Sequence, residues 1–332
     1  MKKYPRSILV ATNHLKDLGG SETFAYTLIG ELKRLGFEVE YFTFYKGLVS
    51  DKIENDLGAG FMSKKKYDLI LANHNSCVKY LVNRGFIIQT CHGVFPELEQ
   101  PSSYAHKHVA ISKEVQEHLQ HKHIKSKIIL NGINLERFKA AVPLQSELKT
   151  VLSLCHSDEA NQMIAASARE LGAAFIYLNK YENPGWNVEQ LINQADLVVG
   201  VGRSAYEAMA CGRPVVIFDS RSYYPACGDG YVKEILEESI LKNCSGRYYG
   251  HSFTIPALTA ELKKFKKEDG AFFREFALKN LNITNSVLEY IRYFGERQPL
   301  SLKRGWLWAK RLIKGPALRK RMIKRYELEA GI

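Results

Sequence analysis

The sequence predicts an α/β protein made of two doubly wound, parallel-sheet domains facing a cleft. Three observations carry that reading. Short apolar runs alternate with segments of helical periodicity. The alternation pauses over Asn131 to Lys149 and then starts afresh. The 332 residues exceed what one compact core accommodates and suit two domains of about 100–200 residues each.

In chain order, "SILVAT", "VEYFTF", "YDLILAN", "FIIQTC", "HVAIS" and "KIILNG" read as the strands of the first sheet. Between the first two, "SETFAYTLIGELKRLG" places Phe24, Leu28, Leu32 and Leu35 on one helical face, and Gly36 ends the helix. The N-terminal "MKKYPRSILVATNHL" reads as a first strand and not as a signal peptide, because polar Thr12, Asn13 and His14 interrupt its short apolar stretch. After the pause, "TVLSLC", "AFIYLN", "DLVVGV" and "VVIF" read as a second parallel sheet. Ligands of doubly wound sheets bind at the carboxyl ends of the strands, so the site is expected there, in the cleft.

Composition bounds the function. The 45% hydrophobic and 25% charged content is that of an ordinary soluble chain, with no apolar run able to cross a bilayer. Six scattered cysteines form no Cys-x-x-Cys pair, which disfavours a zinc site or redox dithiol and suits a reducing cytoplasm. The stretch from Ser301 to Ile332 holds ten Lys/Arg against two Glu and so carries most of the net charge of +12. Trp306, Leu307, Trp308, Leu312, Ile313, Leu318, Met322 and Ile323 interleave with those cations at helical spacing. That pattern suits an interfacial helix on an anionic membrane surface, or a solvated basic helix. Nucleic acid is an unlikely partner, since no recognisable nucleic-acid module is present.

Three strand ends carry candidate chemistry. In "ATNHLKDLGGSETF", Gly19 and Gly20 precede Ser21, a good N-cap. The pair is either an ordinary turn or a place where backbone N–H groups meet an anion. In "IIQTCHGVFPE", His92 leaves a strand end just before Gly93, where it either donates to a substrate hydroxyl or is satisfied by its own loop. His106, His108, His118, His121 and His123 show no metal-ligand geometry and are expected on the surface. In "GVGRSAYEAMACGRPVV", Gly202, Arg203 and Ser204 open a short helix that Gly212 and Pro214 close. Glu207 lies three residues past Ser204, so it either completes a capping box or accepts the hydroxyls of a ribose.

Together "LGGSE", "CHG", "ISKEVQEHL", "NGINLERF" and "YEAMACGRPVV" resemble the GT-B glycosyltransferases, in particular their family-4-like retaining group, across most of the chain. The resemblance implies two Rossmann-like domains: an acceptor domain over 1–147 and a nucleotide-sugar domain over 148–270, with a C-terminal helix over 271–300 that returns to the first and a basic amphipathic tail over 301–332. It implies that His92 contacts the transferred sugar and that Gly19 and Gly20 approach donor phosphate or acceptor. It further implies that Glu207 binds the nucleotide ribose, and that Asn131 and Gly132 lie near the cleft where the chain leaves the first domain. Two positions depart from the pattern. The family's second acid, eight residues before Glu207, is here Val199; and "LSLCHSDEANQ" puts His156 and Asn161 where a Gly-Arg and a later Lys hold the diphosphate. Arg203 then stands in as the guanidinium on the leaving group.

The implied reaction is metal-free transfer with retention from a nucleotide sugar, UDP-linked by default, to a cell-envelope glycan or lipid-linked acceptor. The tail would hold the enzyme on the inner leaflet. His92 and Arg203 are the expected catalytic groups, and no cofactor is expected. A sugar-nucleotide epimerase or hydrolase of similar two-domain fold, or a degenerate sugar-binding subunit, are the alternatives.

Overall fold

The computed structural model describes residues 4–178, 185–221, 224–296 and 302–329. The ends of the expected return helix and tail, 297–301 and 330–332, lie outside the described residues. The chain divides into two compact units. The first takes residues up to Ile111, Val115–Gly132, and those from Ile283 onward; the second takes Ser112–Glu114 and Ile133–Asn282. The crossings therefore fall at Gly132 and Asn282, and the segment 133–147 belongs with the second unit.

The first unit runs β1 (Ser7–Ala11), α1 (Gly20–Arg34), β2 (Glu38–Phe42), α2 (Leu48–Leu57), β3 (Leu69–Ala72), α3 (Asn75–Leu81), β4 (Phe86–Cys91), β5 (Lys107–Ala110), α4 (Lys113–His121) and β6 (Ser126–Ile128). Its six strands are all parallel, in the order β2-β1-β3-β4-β5-β6. Ile8, Leu9, Val10, Leu69, Ile70, Ile87 and Ile88 are fully buried, as continuous apolar runs covered on both faces require. The helix read from Phe24, Leu28 and Leu32 forms as expected, capped at Leu35 and stopped by Gly36 in the left-handed region. The histidine expectation fails at two positions beside β5. His108 is buried in the strand and donates to the Ser102 carbonyl at 3.0 Å, with its pKa pushed down to about 4 by burial. His106 stacks on Phe86 and accepts from the Ile87 amide at 3.0 Å.

The second unit runs β7 (Thr150–Ser153), α5 (Asp158–Glu170), β8 (Ala174–Tyr177), α6 (Val188–Gln194), β9 (Leu197–Gly200), α7 (Arg203–Ala210), β10 (Val215–Arg221), β11 (Tyr224–Tyr231), α8 (Leu236–Leu241), α9 (Ile255–Leu262) and α10 (Asp269–Asn280). Its sheet, β11-β10-β9-β7-β8, is parallel except for the edge strand β11, which pairs antiparallel with β10. That strand was not legible, because "YPACGDGY" carries Pro and two Gly where strand propensity is poor. Val199 is fully buried between Ser153 and Val216 in the sheet, so the position where the family keeps an acid is core.

The chain then returns through α11 (Ile283–Gly295) and α12 (Leu302–Glu329), both in the first unit. One long helix was expected here; instead the chain breaks at Leu281, whose carbonyl is taken by the Ile133 amide at 2.7 Å and so leaves the helical ladder. On its return α11 meets α1, with Thr284 donating to Glu31 at 2.6 Å. The basic tail is a helix, as its spacing suggests, but one face of it is committed to the protein. Met322, Tyr326 and Arg311 are buried, and the Arg311 guanidinium donates to the carbonyls of Tyr104 (3.1 Å) and Ala105 (2.8 Å). Trp306, Leu312, Ile313 and Ile323 remain exposed, and the Trp308 side chain lies outside the described residues.

Candidate functional site

Each sheet reverses its strand order once, and that reversal opens a crevice at the carboxyl ends of the two strands flanking it. In the first unit the reversal lies between β1 and β3, and in the second between β7 and β9.

At the first crevice, polar side chains replace the apolar runs the moment each strand ends. Asn13 and His74 are joined by the Asn13 amide donating to His74 Nδ1 at 3.1 Å. Asn73 Nδ2 donates to Thr12 Oγ1 at 2.8 Å, and Ser76 Oγ donates to Asn13 Oδ1 at 2.8 Å. From the end of β4, His92 Nε2 meets Asn73 Oδ1 at 3.3 Å, and its ring sits edge-on to Phe24 at 5.4 Å. The packing on Phe24 and the Asn73 contact fix the ring's direction. His74 is buried, and that burial, with His92 and His14 nearby, pushes its pKa down to about 3. It is a neutral hydrogen-bonding group at any ordinary pH. Tyr326 of α12 reaches the same cluster: its hydroxyl donates to Asn13 Oδ1 at 2.6 Å and its ring stacks on Phe44 at 3.7 Å.

Gly19 and Gly20 border this crevice on the N-terminal side of α1, but Ser21 does not cap it. The cap residue is Gly19, in extended backbone with no side-chain cap, and Ser21 Oγ donates instead to Glu22 Oε1 at 2.8 Å. The two glycines differ in purpose. A Cβ on Gly19 would lie 2.2 Å from Glu22 Oε2, so a side chain there would displace the buried carboxylate that folds back over the helix start. Around Gly20 a Cβ would meet nothing within 4 Å, so packing does not require that glycine. Glu22 also faces His14, at 3.4 Å. Asn13, Glu22, Asn73, His74 and Tyr326 were missed. "LILANHN" ends a strand in polar residues just as "IIQTCHG" does, so the rule that singled out His92 would have found Asn73 and His74.

Asn131 and Gly132 follow β6 at the crossing into the second unit. Asn131 is buried with its Oδ1 lacking a partner, and a Cβ on Gly132 would lie 2.5 Å from the Ile283 Cα, so the start of α11 packs on bare backbone.

In the second unit β7 leads through Cys155 and His156 to Ser157, which caps α5 by accepting from the Ala160 amide at 3.3 Å. Asn161, the neutral substitute for Lys, is occupied inside the fold, its Oδ1 accepting from Ser153 Oγ at 2.6 Å. Across the reversal, Gly202 turns the chain with φ 61° and is itself the cap of α7. Ser204 is therefore the second residue of the helix, and the proposed Ser204–Glu207 capping box does not form. Glu207 is engaged by Arg203 instead: Nε and Oε1 are 2.9 Å apart, four residues along one helix face, with both side chains nearly buried. Burial pulls the Arg203 pKa down, and burial raises that of Glu207, while their mutual attraction opposes both shifts. Arg137 supports the pair from the loop before β7; it is itself bound to Glu189 at 2.9 Å and helps hold Glu207 charged. Gly200 lets the β7 end and the α7 start approach, since a Cβ there would already touch Ser204 and Leu154 at 3.3 and 3.5 Å.

Thus His156, Gly202, Arg203, Ser204 and Glu207 gather at one strand-end crevice, and His92, Gly19 and Gly20 at another. Among the described residues no group of three or more His, Cys, Asp or Glu side chains is set to hold a metal ion, and no helix is long and apolar enough to cross a membrane.

No protein-family model matches the chain, and no curated protein matches it in sequence. Solved structures do. A glycosyltransferase from Rickettsia africae ESF-5 aligns over 88% of this chain and 100% of its own, with a TM-score of 0.60 and 12% identity. Anabaena Alr3699/HepE, solved with UDP and glucose, aligns over 87% of this chain and 99% of its own, with a TM-score of 0.58 and 12% identity. An α-glucosyltransferase solved with UDP and a 13-mer DNA aligns over 88% and 100%, with a TM-score of 0.55 and 10% identity. These likenesses establish the fold as the two-domain α/β arrangement of GT-B glycosyltransferases.

Proposed function

We propose that this chain is a glycosyltransferase that moves a sugar from a nucleoside diphosphate donor, UDP-linked by default, to a cell-envelope glycan or lipid-linked acceptor. The observation that carries the reading is the buried Arg203–Glu207 pair set by left-handed Gly202 at the strand-order reversal of the second sheet. A carboxylate so placed takes the hydroxyls of a ribose, and the amides of the α7 start, with Arg203, face the diphosphate. His156 supplies a second, weaker donor from the end of β7. Two structures of the same fold were solved with UDP, which makes that base the first to try.

In this reading the anomeric carbon–oxygen bond to the diphosphate breaks, the acceptor hydroxyl oxygen bonds the same carbon, and its proton passes to a departing phosphate oxygen on the same face. Configuration is retained. Arg203 and the helix amides stabilise the charge as it develops on the diphosphate. His92, with Nε2 held by Asn73 Oδ1, hydrogen-bonds a hydroxyl of the transferred sugar through Nδ1. No cofactor is needed for these steps. The acceptor belongs to the first unit, whose crevice offers neutral donors and acceptors suited to hydroxyls. The exposed apolar and basic face of α12 supports peripheral attachment to an anionic inner leaflet from the cytoplasm.

The test is incubation of the purified protein with a panel of nucleotide sugars, with and without envelope lipid and glycan fractions or DNA. Product that forms only with a lipid or glycan acceptor, with the donor's anomeric configuration, is the expected result. Consumption without acceptor would make the protein a hydrolase or epimerase, no consumption a sugar-binding subunit, and transfer to DNA would overturn the acceptor class.

A further inference from the structure

A cavity of about 580 Å³ opens in the first unit at the amino ends of β3 and β4, the edge of the sheet opposite the crevice of Asn13 and His92. Its walls include four cations, Lys65, Arg84, Arg319 and Lys320, together with Pro316 and Ile323. Two of the cations, with Pro316 and Ile323, come from α12. Pro316 interrupts the ladder, Asn83 Nδ2 donates to the nearby Arg311 carbonyl at 2.9 Å, and a Cβ on Gly315 would lie 2.6 Å from that same Asn83 nitrogen. Gly315 and Pro316 thus press the helix onto the turn before β4 and bring Arg319 against Arg84.

The charge gathered there is uncompensated. Among the described residues none of the four cations forms an ion pair. The Nε atoms of Arg84 and Arg319 are both buried without a hydrogen-bond partner. Burial first, and the charge of Arg319 second, pull the Arg84 pKa down. Buried donors of this kind cost free energy unless something accepts from them. The volume lies within the range of about 300–1,000 Å³ that small-ligand pockets occupy and exceeds the needs of a bare anion. At about 100° per residue Leu312 (47% exposed) stands on the cavity's side of α12, and Ile313 (76%) and Trp306 (61%) follow around the helix just past Lys320. Fixed positive charge beside exposed apolar side chains matches a phosphate attached to an apolar chain.

We infer that this cavity binds the phosphate of an anionic lipid headgroup, with Arg84 and Arg319 as its paired ligands, Lys65 and Lys320 at its mouth, and the exposed apolar side chains of α12 against the acyl region. The inference rests on the membrane attachment proposed above and gives it a defined site. It is independent of glycosyl transfer.

Sedimentation of the full chain with phosphatidylcholine vesicles, plain or doped with phosphatidic acid, tests it. Two charge-matched double variants are compared with wild type: Arg84→Gln with Arg319→Gln, and Lys314→Gln with Arg321→Gln, which removes two exposed cations of α12 outside the cavity. Lys65→Glu, at an exposed position, covers the case in which loss of the half-buried arginines disturbs folding. Wild type should bind only the doped vesicles. The cavity pair should lose about tenfold in affinity, Lys65→Glu a similar amount, and the matched pair about twofold at most. Equal losses in both pairs would overturn the cavity while leaving membrane attachment standing. No binding of wild type would overturn both. Stabilisation of wild type, but not Lys65→Glu, by glycerol 3-phosphate without vesicle binding would reassign the cavity to a soluble phosphate ester and overturn the lipid.

Discussion

The two strand-end crevices occupy the same topological place in their sheets and use opposite chemistry. The first is lined by neutral groups bonded to one another, Asn13, Asn73, His74 and Ser76, with His74 kept uncharged by burial. The second is built on a buried charge pair, Arg203 with Glu207, backed by Arg137 and Glu189. In the proposed function this shared backbone solution serves two kinds of ligand: hydroxyls at the first crevice, where directional hydrogen bonds discriminate, and a diphosphate and ribose at the second, where fixed charge is needed. Position in the sheet says where a ligand binds; the side chains that follow each strand say what kind.

That contrast can be broken at several points, the most severe first. Glu207→Ala leaves Arg203 buried without its anion and should cost about 3–5 kcal/mol of stability in urea unfolding. Truncating one of the neutral groups Asn13, Asn73 or Ser76 at the first crevice should cost less, because no charge is stranded by it. Acidification attacks the first crevice instead. The folded state resists protonation of His74 down to about 3, whereas an unfolded histidine takes its proton near 6.5. The stability from neutral His74 is therefore complete above pH 6.5 and drains away as pH falls toward 3; His108 adds to the loss down to about 4. Unfolding measured between pH 7 and 4 should show the decline, and His74→Gln should flatten it.

His92→Ala should leave the melting temperature within a few degrees and lower turnover about 100-fold, as loss of a positioned hydrogen-bonding group does. An equal fall in stability would assign that histidine to the fold alone. Tyr326→Phe is the mildest change. It removes one hydrogen bond to Asn13 and should cost about 1 kcal/mol, read as a small drop in the urea midpoint.

The fold was legible because burial on both faces writes each strand as an apolar run, and the helix from Gly20 shows its buried stripe at Phe24, Leu28 and Leu32. The strand-end glycines and His92 were legible by position. Local hydrogen bonding was not. Glu207 stands three residues from Ser204 and four from Arg203, and only the backbone at Gly202, which starts the helix two residues earlier, decides for Arg203. The same shift by glycine displaced Ser21 from the cap of α1. The role of α12 was hidden for another reason: Met322 and Tyr326, buried within the chain's own first unit, look in sequence like residues meant for lipid. An amphipathic helix does not specify which apolar phase it meets.

Arg203 refines the second half of the comparison. Arg203→Lys keeps a cation but loses the planar fork that spans Glu207 and a phosphate, so donor affinity should fall while stability changes little. Unchanged affinity would remove Arg203 from the diphosphate.

The most direct measurement is calorimetric titration of UDP, GDP and ADP into wild type and Glu207→Gln, which preserves shape and removes the charge. One nucleotide should bind wild type, with UDP favoured, and Glu207→Gln should weaken it at least about tenfold. Equal affinity in the two proteins, or no binding of any of the three, would contradict a nucleotide site at the start of α7.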